Sequence, residues 1–137
     1  MKYLIFAIFA AVFSMCEKDE ITRSTDSLPL NQEVVIENGK TLQNLTEDIS
    51  ITMVSVVEDS RCPTEVDCVW EGDANVRFSF KTGANAHEIN LHTTLNPKDT
   101  TIGKFNISLQ RLDPHPANTD AIPQNAYKAT IVVSKKN

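Results

Sequence analysis

Basic residues are the minority among the charges of this 137-residue chain: 13 Lys and Arg stand against 18 Asp and Glu, a formal net charge of −5. An acidic surface repels phosphate backbones, which argues against a nucleic-acid partner. No basic run exists that would hold the protein on anionic lipid. Glycine is scarce, at four residues. A glycine-rich phosphate cradle is therefore not expected. The Gly-x-Ser-x-Gly signature of a nucleophilic serine is missing, and no Ser or Cys stands in a recognisable arrangement with a His and an orienting group. Long amphipathic helices are missing too, because Pro97, Pro114, Pro116 and Pro123 interrupt the segments where one could form.

Metal chemistry is equally poorly supplied. His87, His92 and His115 lie far from the cysteines and have no ligand-like spacing. His92 falls on the outward face of a strand pattern beside Glu88 and Asn90, where a solvated histidine is expected. Asp59, Asp67 and Asp73 could be imagined around calcium, but the dense one-apart spacing of a calcium loop is absent. No catalytic residue, metal or cofactor is expected, and the chain does not read as an enzyme.

What is present begins at the N-terminus. Met1-Lys2 is followed by an apolar run from Tyr3 to Phe13. A membrane-spanning helix takes about 20 apolar residues, and this run ends too soon. It has the dimensions of a signal-peptide core. Ser14-Met15-Cys16 then resembles the lipobox of bacterial lipoproteins, with Phe13 where Leu is usual and Met15 where a small residue is usual. That resemblance implies that residues 1–15 are removed and that Cys16 carries diacylglycerol. Glu17-Lys18-Asp19-Glu20 is similar to a bacterial export signal that sends lipoproteins to the outer face of the outer membrane; a solvated charge run is the plainer alternative. Residues 16–27 are polar and read as a flexible tether. The expected location is the cell envelope, lipid-anchored at the outer membrane, with the domain directed to the exterior.

Three cysteines leave one over after pairing. If Cys16 carries lipid, Cys62 and Cys68 remain for each other, and an oxidising compartment favours their disulfide. Closing so short a loop contributes about 2 kcal/mol.

From residue 28 to 137 the dominant period is two, the period of strands. Val76, Phe78 and Phe80 alternate with Arg77, Ser79 and Lys81; Phe105, Ile107 and Leu109 alternate with Asn106, Ser108 and Gln110. Residues 33–36, 49–57, 88–92 and 127–134 are also strand-like, with a change of apolar parity at Met53-Val54 that predicts a bulge or a doubly buried strand. An all-β single domain follows, a small β-sandwich or open barrel of about six to seven antiparallel strands. The stretch from Asp113 to Asn125 is unusually long for a connection, which marks it for function or disorder.

The densest local pattern runs from Asp59-Ser60-Arg61-Cys62-Pro63 to Cys68-Val69-Trp70-Glu71-Gly72-Asp73-Ala74. Asp59 and Arg61 are placed to pair or to cap loop amides. Trp70 is expected to pack over the bridge or the sheet edge, and Gly72 permits a turn into the next strand. With Leu109 to Pro116 and Tyr127 to Ala129, these motifs resemble a family of uncharacterised bacterial lipoproteins. The resemblance implies a secreted, lipid-anchored β-domain and no particular activity. Two readings of the loop stand side by side. In one, Asp59, Arg61, Asp67, Trp70 and Asp73 form a recognition tip for a protein or glycan; in the other, the loop is a structural staple. The expected function is a surface-displayed binding or structural module, with an extracytoplasmic peptidase inhibitor presenting a rigid loop as the alternative.

Overall fold

A computed structural model describes residues 26–137. The signal segment 1–15, Cys16 and the charged start of the tether lie outside the described residues. Among the described residues, eight strands form two four-stranded antiparallel sheets. They are β1 (Glu33–Glu37), β2 (Thr41–Asn44), β3 (Ile49–Asp59), β4 (Ala74–Thr82), β5 (Asn85–His92), β6 (Asp99–Ile102), β7 (Phe105–Asp113) and β8 (Lys128–Lys135). One sheet has the order β2-β3-β4-β5 and the other β1-β8-β7-β6. The chain thus lays down β1, crosses to a four-strand meander, and crosses back to finish beside its own start. The domain is a sandwich, and neither sheet closes on itself.

Alternation builds the core. Phe78 and Phe80 of β4 and Ile107 of β7 have no exposed surface. Ile131 and Val133 of β8, in the same sheet as Ile107 and opposite that of Phe78 and Phe80, are equally buried. Phe80 and Phe105 face each other across the sandwich with ring centroids 5.9 Å apart and planes tilted by 60°, a favoured aromatic geometry. The parity change at Met53-Val54 is a bulge between Met53 and Ser55, and a second register shift follows between Val56 and Glu58.

The eight strands among the described residues exceed the expected six to seven. β2 and β6 have four residues each, too few for alternation to stand out from chance. Asp26 and Ser27, assigned to the tether, already run beside β2: Gln43 N–H donates to Asp26 O, and Leu28 N–H donates to Gln43 O, both at 2.8 Å. Leu28 then enters the core.

The two ends of the sandwich differ. At one end are the short turns 45–48, Gly83-Ala84 and Gly103-Lys104. At the other lie the three longest connections, 60–73, 93–98 and 114–127.

Candidate functional site

The three long connections are fastened to one another by polar hubs. The first is Asp59, the last residue of β3. Its Oδ1 accepts from Arg61 Nε at 2.8 Å, and its Oδ2 accepts from Arg61 Nη2 at 2.7 Å and from the Tyr127 hydroxyl at 2.9 Å. Arg61 continues to the far loop, donating from Nη1 to Leu112 O at 2.6 Å and from Nη2 to Pro114 O at 2.8 Å. Both side chains of the pair are under a tenth exposed, at 7% and 9%. Burial pushes the Asp59 carboxyl upward, but hydrogen bonds from Arg61 and Tyr127 and the guanidinium charge outweigh it, and the carboxyl lies below its ordinary range. Burial, then the bond to Asp59 and its charge, push Tyr127 up to about 12.

The second hub is Asp73, just before β4. Its Oδ1 accepts from the amides of Thr94 at 2.9 Å and Leu95 at 3.1 Å, and its Oδ2 accepts from His92 Nδ1 at 2.6 Å. Burial again works to raise this carboxyl; the His92 bond, the two amides and the His92 charge together hold it below the usual range. His92 is therefore not the solvated histidine expected from its parity. Its side chain is only 20% exposed, because Asp73 reaches back over the end of β5 to meet it.

Between the hubs, Cys62 and Cys68 form a disulfide with Cα atoms 6.0 Å apart, as expected. The loop it closes is also fastened outside the bridge. Thr64 N–H donates to Pro116 O and Glu65 N–H to Ala117 O, each at 3.0 Å. His115 Nε2 lies 2.8 Å from Cys62 O. The proline loop after Asp113 is thus an ordered partner of the stapled loop. Near its far end Gln124 bonds the main chain of Val56 in both directions, donating from Nε2 at 2.8 Å and accepting at Oε1 at 3.0 Å.

The five residues proposed for a recognition tip divide into two groups. Asp59, Arg61 and Asp73 turn inward and hold loops together. Asp67 and Trp70 face solvent. Trp70 is 51% exposed, and the Arg61 guanidinium is bound to Asp59 and to the carbonyls of Leu112 and Pro114. Val69 beside it is fully exposed, and Val66 is 42% exposed. Asp59, Asp67 and Asp73 do not converge, and neither do the histidines: His92 faces Asp73, while His115 faces Cys62 O. Among the described residues, no group of three or more His, Cys, Asp or Glu side chains is placed to hold a metal ion.

Tyr127, Gln124 and the carbonyls of Leu112 and Pro114 are the parts that sequence reasoning missed. Tyr127 was visible as an inward residue, but its hydroxyl partner lies 68 residues away. Comparison with protein-family models, curated proteins and solved structures finds no match to this chain.

Proposed function

We propose that the chain is a lipid-anchored extracytoplasmic lipoprotein whose sandwich is a binding module, displayed at the outer membrane through Cys16 and contacting a protein partner with its stapled loop. The observation that carries this reading is the exposure of Val66, Val69 and Trp70 on one loop that is braced three ways. Large apolar side chains left in water gain nothing from folding, grouped on one loop they mark an interaction surface, and an aromatic anchor is the usual centre of a protein interface. Preorganisation lowers the ordering cost of binding. The disulfide supports an oxidising compartment. The charged clusters at this end spend their polar atoms on one another and on main chain, as structural hubs do. The same bracing favours a second reading, a peptidase inhibitor, since an uncleaved inhibitor needs a loop that cannot relax after docking.

Membrane fractionation tests the anchor: Cys16→Ser should move the protein from membrane to soluble fractions, and retention after a high-salt wash overturns it. A photo-crosslinker at position 69 tests the module. In intact cells it should give one discrete adduct that Trp70→Ser abolishes without moving the melting temperature. A folded, oxidised protein that gives no adduct refutes the tip. Stoichiometric inhibition of a peptidase, with no cut between Cys62 and Cys68, would establish the second reading.

A further inference from the structure

At the same end, β3 extends past the reach of its neighbour β2. β2 pairs with β3 only from Ile49 to Thr52. One more rung is made by the β1–β2 turn, where Gly39 N–H donates to Met53 O at 2.7 Å and Met53 N–H to Lys40 O at 3.1 Å. The chain then leaves for the other sheet, and no strand continues along that edge of β3 among the described residues. At Val56 the missing neighbour is replaced by a side chain. The Gln124 amide offers one N–H donor and one carbonyl acceptor, as a peptide unit does. It makes both bonds a neighbouring strand would make to Val56, at 2.8 and 3.0 Å.

From this point a groove of about 440 Å³ runs between the β3 edge and the proline loop. Val57, Ile122, Tyr127 and the Asp59–Arg61 pair are among the residues that line it. Glu58 and Asp120, both exposed, also line it. Among the described residues that line it, Arg61 is the one cation, and Asp59 neutralises it. The groove therefore combines an open main-chain edge, apolar lining residues and a net negative charge. Main-chain bonding along an edge recognises an extended polypeptide, and the charge selects which one.

We propose that this groove binds an extended basic segment of a partner polypeptide, added to β3 as a strand, and that the Gln124 amide holds the place of its main chain in the free protein. The site is separate from the Val66–Trp70 tip and does not depend on it.

The test uses the full chain with its disulfide intact and two blocked peptides, Lys-Val-Lys-Val-Lys and Glu-Val-Glu-Val-Glu. Amide shifts and hydrogen exchange report where each binds, and calorimetry reports how tightly. The lysine peptide should slow exchange at Val56 to Asp59, and the glutamate peptide should not bind. Gln124→Ala removes the competing amide and should tighten lysine-peptide binding about tenfold, the order expected for two neutral hydrogen bonds. The double variant Glu58→Lys/Asp120→Lys, changed only at exposed positions, should lose it while melting as before. Trp70→Ser should leave it unchanged, which separates this site from the tip. The proposal is overturned if neither wild type nor Gln124→Ala binds the lysine peptide. Equal binding of both peptides, protection mapping to residues 66–70, or a dimer of the free protein paired through this edge would overturn it as well.

Discussion

The two ends of this sandwich are held by opposite means. At the short-turn end, Glu47 receives Lys135 at 2.8 Å and Lys104 at 3.3 Å, with both lysines more than a third exposed. At the long-loop end, carboxylates and a guanidinium withdrawn from water tie together segments far apart in sequence. The difference follows from loop length. A short turn needs little beyond its strands to fix it, so its ion pairs can keep their lysines in water, where they contribute little. An ordered loop of this length fixes many more residues, each at an entropic cost. Water-excluded hydrogen bonds, which are costly to leave half made, are what hold them.

Removing a hub should therefore have the largest effect. Asp59→Ala leaves a buried guanidinium and a buried hydroxyl without their acceptor. Breaking a buried pair in this way costs about 3–5 kcal/mol, and chemical denaturation should show it. The same hub sets the pH dependence. Asp59 and Asp73 have folded carboxyls below their ordinary range. Their contribution is complete above about pH 4, the unfolded value, and is lost as the pH falls through the lowered folded values. Tyr127 acts on the alkaline side. Its hydroxyl titrates near 12 in the folded protein and near 10 unfolded. Its contribution is whole below pH 10 and drains away between 10 and about 12. A pH series of denaturant melts should show both limbs, and Tyr127→Phe should flatten the alkaline one.

Gly72 comes next. Its φ is +74°, and a Cβ built there would stand 2.0 Å from Ser60 O and 2.7 Å from Arg61 Cα. Both neighbours are backbone and cannot swing aside. Gly72→Ala should force residues 60–61 away from β4 and pull Arg61 off its carbonyls. The left-handed strain and the overpacking together should cost about 3 kcal/mol. An Ala at Gly39, where nothing lies within 4 Å, carries only the strain and is the control. The staple should matter less than either. Cys62→Ala/Cys68→Ala removes a short closure worth about 2 kcal/mol, while the main-chain bonds to Pro116 and Ala117 survive. The melting temperature should fall, and exchange should quicken mainly at residues 62–70.

The same contrast governs what could be read beforehand. The alternating strands β3, β4, β7 and β8 were legible because burying one face imposes a period of two on neighbours in the chain. The Cys62–Cys68 bridge was legible by counting. Gly72 was recognised as a turn residue, but the close passage of the 60–61 backbone over it is a tertiary fact. The Asp73–His92 contact spans 19 residues, and the Gln124–Val56 contact spans 68. Neither leaves a trace in local pattern, since a glutamine in a proline-rich loop is marked by nothing around it. Long-range polar hubs escape a local reading for the same reason they are needed: they join segments that share no periodicity.

The smallest expected effect sharpens the comparison from the other end. Glu47 has two lysine partners, and its carboxyl lies below the ordinary range because the Lys135 hydrogen bond outweighs the burial that would raise it. Two bonds and two cations invite comparison with the hub at Asp59. The physics says otherwise. Lys104 and Lys135 are 55% and 36% exposed, so the high dielectric of the surrounding water leaves each pair weak, and salt weakens it further. Ordering two long lysine chains also costs side-chain entropy. Glu47→Gln should leave the melting temperature within error at 0.15 M salt and lower it measurably only near 0.01 M, where screening is weak. Asp59→Ala should show the same large loss at both ionic strengths. A Glu47→Gln loss as large as that of Asp59→Ala, or as insensitive to salt, would mean that both ends are held by the same kind of interaction.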